Sequence, residues 1–195
     1  MKIKILTFFL FLTSFIYAQN LEQLKIASEK IYEAMYNLDF ETVLNYSDPK
    51  LFETISREQM INVLEQFHDN ALMRARLVHP KVSFSFSEFQ VIDGKTYCVI
   101  RYNNAIRTTF EKQLSSEEVE TMKKGMQSVK DNAKVTYEKS RNSFLVEGKT
   151  TLVAIADATS NYEWKFVNCS TSQAQLAKII LGDDVIAKLG LQLAN

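Results

Sequence analysis

Glycine, proline, cysteine and histidine are all scarce: the 195 residues include five glycines, two prolines, two cysteines and two histidines. Each shortage closes off a chemistry. Gly94, Gly125, Gly148, Gly182 and Gly190 are scattered, so the chain has no glycine-rich phosphate loop and no dinucleotide-binding fingerprint. No serine sits in a G-x-S-x-G elbow. Cys98 and Cys169 are too far apart for a CxxC redox pair or a cysteine zinc knuckle. His68 and His79 lack further ligands at metal spacing, so neither a metal nor another cofactor is expected. The shortage of proline and glycine also argues against linkers and disordered tracts.

Charge of one sign is missing too. Lys and Arg number 23, as do Asp and Glu, and the two signs are interspersed. A nucleic-acid partner is therefore not expected, because it would want a clustered cationic excess to displace counterions. Nor is there a polybasic patch for a membrane surface. No apolar run reaches the roughly 20 residues of a spanning helix. The longest, Ile5 to Ile16, follows Lys2 and Lys4 and precedes Ala18 and Gln19. That layout predicts a secretory signal peptide over residues 1–18, although Ile16 is bulky for the −3 position. No cysteine follows the apolar run, so a lipid anchor is not expected. The expected mature chain, 19–195, is a single domain, exported to the periplasm or the extracellular space and not inserted in a membrane. Its formation removes two lysines and no acids, which brings the net charge to −2.

In an oxidising compartment Cys98 and Cys169 can pair, closing a loop of about 70 residues, a link that contributes on the order of 4 kcal/mol. Parity argues for separation: Cys98 shares a face with Ile100, whereas Cys169 follows Val167, opposite Trp164. Both a bridge and two buried thiols stay open.

What the chain does have is periodicity. Leu21, Leu24, Ser28, Ile31, Met35 and Leu38 predict an amphipathic helix. Asp39 is an N-cap for a short second helix with Val43 and Leu44, and Ser47–Asp48–Pro49 turns the chain. Ser56 and Gln59 make a capping box for a third helix, whose apolar side runs through Met60, Val63, Leu64, Phe67 and Ala71 and which ends before Pro80. Val82, Phe84 and Phe86 alternate with serines, and the parity switch at Phe89 and Val91 predicts a bulge. Asp93–Gly94 is a two-residue hairpin signal. It leads into the longest extended stretch, Gly94 to Phe110. One parity there (Cys98, Ile100, Tyr102, Ile106, Phe110) is apolar and the other (Arg101, Asn103, Arg107, Thr109) polar, which predicts a strand with one face covered and one wet.

Ser115 and Glu118 form a second capping box, opening a helix with Val119, Met122, Met126 and Val129 on one side, to about Asp131. Further strands are expected at 134–138, at 144–146 turning through Glu147–Gly148 into 150–156, and at 161–168, with Tyr162, Trp164 and Phe166 on one face. Ser172 and Gln175 begin a last helix, which Gly182 closes before one more turn. The expected fold class is α+β: N-terminal helices on a curved antiparallel sheet, a helix inserted between strands, and a C-terminal helix.

The order of elements, the stretch YNLDFETVLNYSDPKLFETISREQM and the terminal EWKFVN followed by a helix resemble the nuclear-transport-factor-2-like, cystatin-like α+β cone. More narrowly, they resemble small exported bacterial proteins of that superfamily. The inserted helix and the C-terminal extension depart from its usual pattern. The resemblance implies a pocket between the sheet and the first helix, which Tyr32, Tyr36, Tyr102 and Trp164 would line. Enzymes of this fold use a pocket carboxylate or histidine as base, with a tyrosine or an acid as hydrogen-bond donor. Here only Glu88 or His68 offers a base and Tyr32 a donor, while aromatics filling a core is the plainer account.

Arg101, Asn103 and Arg107 share a face that suits a carboxylate, a partner protein or a second copy of the chain, sheet faces in this superfamily often dimerising. Such a row is also simply the solvated side of a sheet. The readings that follow are three. The first is a non-catalytic exported binding or accessory domain for a small apolar ligand or a protein. The second is a small isomerase- or hydratase-like enzyme. The third is an interaction or inhibitory module acting through the inserted helix 115–131.

Overall fold

The computed structural model describes the backbone of residues 2–129 and 133–193 and the side chains of 20–127 and 133–193. The stretch read as a signal peptide and the last residues of the inserted helix lie outside the described side chains. Helices α1 (Lys2–Asn37), α2 (Phe40–Asn45), α3 (Leu51–Thr54) and α4 (Arg57–His68) come first. Strands β1 (Met73–Leu77), β2 (Ser85–Phe86), β3 (Gln90–Ile92) and β4 (Lys95–Phe110) follow, then α5 (Ser116–Val129), β5 (Lys134–Glu138), β6 (Ser143–Ala156) and β7 (Lys165–Asn168). Helices α6 (Ala174–Leu181) and α7 (Asp183–Lys188) end the order. The fold is α+β, with helices at both ends of a curved, open, seven-stranded antiparallel sheet and α5 inserted between strands.

Several boundaries form for the reasons the sequence offers. Asp39 accepts from Thr42 N to open α2. Ser56 and Gln59 close a reciprocal capping box at α4, and Ser115 and Glu118 do the same at α5. Asp93 and Gly94, with φ of 50° and 78°, make the tight turn that pairs Ile92 with Lys95. The bulge is present as well: Phe86 faces Ile100 but Gln90 faces Tyr97, so the β2–β3 side has one extra residue. Ser87 holds it by accepting Val99 N on its hydroxyl and donating its own N–H to Val99 O.

Four expectations need correction. Helix α4 stops at His68, and Met73–Leu77 is a strand paired to β4 rather than a helical tail. Asn70 makes the break, its side-chain oxygen accepting from Leu72 N and Met73 N. Glu147–Gly148 is not a turn. Strand β6 runs through it, with Gly148 opposite Asn104, because pairing along the whole of β4 outweighs the local turn preference. Strand β7 starts only at Lys165, since Asn161 and Tyr162 are both left-handed, which leaves Tyr162 exposed while Trp164 and Phe166 are buried. Lastly, β4 is not wet along one whole face.

The two faces of the β4–β6 pair carry separate cores. Cys98, Ile100, Leu152, Ala154 and Phe166 pack under Leu24, Ala27 and Ile31 of α1. On the opposite face, Tyr97, Val99, Val153, Ile155 and Val167 pack under Ala177, Ile180, Leu181, Val185 and Ile186 of α6 and α7. The run Tyr97–Ile100 is apolar on both parities and is buried on both, as a strand covered twice must be. Farther along β4 the first face stays covered, with Phe144 fully buried between Phe110 and Tyr137, while on the second Arg101 and Asn103 are exposed and the small Ala105 and Ser143 are buried. The disulfide does not form: Cys98 and Cys169 are free, buried thiols in the two different cores.

Asp157 clasps the far end of the ladder. It accepts from Lys95, one pair beyond Thr96–Ala156, and from Thr159 N, Thr159 Oγ1 and Ser160 N. Burial pushes its pKa up, but these partners prevail and hold it down at about 2. A carboxylate with a lowered folded pKa stabilises fully above the unfolded value near 3.8 and ceases to do so as pH falls through about 2. Asp157→Asn keeps a cap acceptor but loses the charge that Lys95 pairs with, so it should cost about 2 kcal/mol at neutral pH, the order of a charge-assisted hydrogen bond. In urea unfolding followed from pH 7 down to 2, the gap between wild type and variant should close. A gap that stayed constant would contradict this assignment.

Candidate functional site

Tyr32 and Tyr102 meet edge-to-face with centroids 5.7 Å apart, and Phe84 closes the cluster at 6.2 Å from Tyr32 and 5.2 Å from Tyr102. Tyr32 lies on the sheet-facing side of α1, one turn past Ser28, and its hydroxyl donates to His79 O. Tyr36, one turn further, is half-buried, and its proximity adds to the burial that raises the pKa of Tyr32. Tyr102 is raised strongly, first by burial and then by Tyr32, against a hydrogen bond with Thr150. Trp164 is apart from this group: it stacks on Phe89 at 5.5 Å, within the same α1-facing core as Tyr102. Tyr32, Tyr102 and Trp164 thus lie on the α1-facing side of the sheet, with Tyr36 one turn along α1 from Tyr32, and Tyr32 and Tyr102 fill space against Phe84 instead of surrounding it. Asn104 lies one position along that face from Tyr102. Its Oδ1 is buried with no partner among the described residues.

The residues of the enzyme alternative are not assembled. Among the described residues no hydrogen bond or ring contact joins Tyr32 to His68 or to Glu88, and Glu88 is exposed. His68 is buried between Phe40 and Phe67 at ring distances of 5.4 and 5.1 Å, with Nδ1 3.1 Å from Ala75 O. Burial holds its pKa below the ordinary imidazole range, the Ala75 hydrogen bond opposes that, and the Arg76 guanidinium adds to it. His79 is exposed. No group of three or more His, Cys, Asp or Glu among the described residues could hold a metal ion. No helix among them is long and apolar enough to cross a membrane.

The polar parity of β4 opens onto two recesses. Helices α6 and α7 cover this face only as far as the Arg101–Thr151 pair, where the tail Gly190–Leu193 and Cys169 complete a recess of about 240 Å³. At the other end, Arg74, Arg76, Leu77, Arg107 and Thr109 line one of about 360 Å³. Between them lie exposed Asn103 and its cross-strand partner Lys149. Arg101, Asn103 and Arg107 therefore share one uncovered face. Arg101 is exposed, whereas Arg107 is tied to Glu138 through Nε (2.7 Å) and Nη2 (3.2 Å). This forked pair raises Arg107 and lowers Glu138. Arg74 and Arg76 were not expected here, because 69–77 reads as a helical tail. The alternation Met-Arg-Ala-Arg-Leu was the available signal.

No protein-family model matches the chain, and no curated protein matches it.

The environment of His68 generates a pH dependence. The unfolded imidazole takes a proton near pH 6.5 and the folded one only lower, so stability is fully present above about 6.5 and declines as pH drops beneath it. Thermal unfolding of wild type should shift downward from pH 7 to 5 more steeply than that of His68→Gln. Parallel shifts in the two proteins would show that His68 does not carry the effect.

Proposed function

We propose that the protein is a non-catalytic binding or accessory domain that works outside the cytoplasm and engages its partner through the uncovered half of its sheet. One observation carries the reading: α6 and α7 cover the second face of β4 over Tyr97 and Val99 and stop at Arg101, beyond which the same face presents Arg101, Asn103 and Arg107. The leader-like residues 1–18 support an exported address, and the arrangement of helices and curved sheet supports kinship with the nuclear-transport-factor-2-like cone. The enzyme alternative draws little support from a tyrosine hydroxyl donated to a backbone carbonyl and a histidine set among phenylalanines.

The test is site-specific photo-crosslinking in the source cells, with the reactive residue placed at Asn103, at Glu120 on α5, or at Lys30 on α1, all exposed. Adducts should concentrate at position 103. Adducts concentrated at 120 would transfer the role to the inserted helix, and equal yields at all three would overturn a specific face.

A further inference from the structure

Register places Arg76 directly opposite Arg107 and Arg74 directly opposite Thr109, so three guanidinium groups and a hydroxyl share one face of the β1–β4 pair. Like charges on directly opposed strand positions destabilise a sheet. Here each arginine is offset by an acid: Arg74 by Glu111 at 2.9 Å, Arg76 by Asp69, and Arg107 by Glu138. These acids come from outside the recess lining, which is made of Arg74, Arg76, Leu77, Arg107 and Thr109 and contains no carboxylate.

The three arginines are not equivalent. Arg76 is committed to structure, because its Nη1 caps α4 by donating to His68 O and also to Ala75 O, while Nη2 holds Asp69. Arg107 gives Nε and Nη2 to Glu138, which leaves Nη1 without a partner among the described residues. Arg74 is about half exposed and its ion pair uses only Nη2, which leaves Nε and Nη1. A recess of about 360 Å³ falls inside the size range of small-molecule sites, roughly 300–1,000 Å³. The recess beside Arg101, at about 240 Å³, falls below it.

We propose that Arg74, Arg107 and Thr109, with Arg76 as the fixed charge behind them, form a binding site for a small polyanion bearing at least two oxyanion groups. The proposal rests on the reading of the uncovered sheet face as a binding surface, and it assigns that surface a ligand class. Arg74 can present Nε and Nη1 to two oxyanion oxygens, Arg107 adds its Nη1, and Thr109, opposite Arg74, adds a hydroxyl donor. A bound anion also relieves the Arg76–Arg107 juxtaposition, which the acid partners offset only from the sides. Carboxylate and phosphate share this chemistry, so the experiment has an arm for each.

The full chain, labelled for NMR, is titrated separately with citrate and with pyrophosphate at about 150 mM salt, where diffuse surface attraction is largely screened. Saturable shifts should centre on Thr109, the Nε–H of Arg74 and the guanidinium of Arg107 in at least one arm. The arm that binds more tightly identifies the headgroup. Arg74→Gln removes a half-exposed ion pair, so it should leave thermal stability nearly unchanged yet weaken binding at least about tenfold. Arg107→Lys keeps the charge but loses the Nη1 donor that the Glu138 fork holds in place, and should weaken binding similarly. Lys30→Gln, on α1, should change nothing. Shifts in neither arm, or equal weakening by Lys30→Gln and Arg74→Gln, would overturn the site. Either failure alongside crosslinking centred on Asn103 would leave the broader reading intact.

Discussion

Fourteen consecutive cross-strand pairs join β4 to β6, from Thr96–Ala156 to Thr109–Ser143, and every other strand attaches to one of these two. Strand β4 carries β1, β2 and β3 on its free edge, and β6 carries β5 and β7 on its own. Ladder hydrogen bonds contribute only about 1 kcal/mol each in net terms, so the pair holds because apolar side chains cover it. Helix α1 covers one face, and α6 and α7 cover half of the other. This unequal coverage divides the molecule into a part sandwiched between helices and a part with a free sheet face.

Register is the constraint this architecture has to meet. A slip by one residue exchanges the two faces of a strand. In the sandwiched half such a slip would swap Val99 for Cys98, one buried apolar side chain for another, and would be resisted only by packing. In the open half a slip of β4 would bury Arg107 and expose Ile106 and Phe110, a loss of several kcal/mol on burial grounds alone. The polar parity at Arg101, Asn103 and Arg107 thus has structural work whatever it binds, and the Arg107–Glu138 fork adds a specific lock between β4 and β5. Arg76 is likewise first a cap on α4. A role in binding is left to the groups that this work does not occupy, chiefly Arg74, Thr109, Arg101 and the free edge of Arg107.

What could be read from the sequence follows a physical line. Features fixed by a few neighbouring residues were legible: the caps at Asp39, Ser56 and Ser115, the Asp93–Gly94 turn, and the bulge announced by the change of parity after Phe86. Features decided by distant partners were not. Residues 73–77 suit a helix by propensity and become a strand because the edge of β4 is there to pair with. Gly148 looks like a turn and is mid-strand because Asn104 lies opposite. The amphipathic pattern of α6 is plain, but nothing local says which face of the sheet it covers. The tetrapeptide Tyr97–Cys98–Val99–Ile100, apolar on both parities, was the clue that something must. Of the candidate site, the shared face of Arg101, Asn103 and Arg107 was legible from alternation alone, whereas Arg74 and Arg76 came with the unread strand.

Half-coverage of one sheet face is the central claim, and thiol accessibility measures it directly. Val99 and Asn103 lie on the same face of the same strand, one turn of coverage apart: the first is buried under α6 and α7, the second exposed. In a chain with Cys98 and Cys169 replaced by serine, single cysteines are introduced by Val99→Cys and Asn103→Cys and labelled under native conditions. The account predicts that position 103 reacts at close to the rate of a free thiol, and that position 99 reacts only as fast as the protein opens. Comparable rates at the two positions would contradict it.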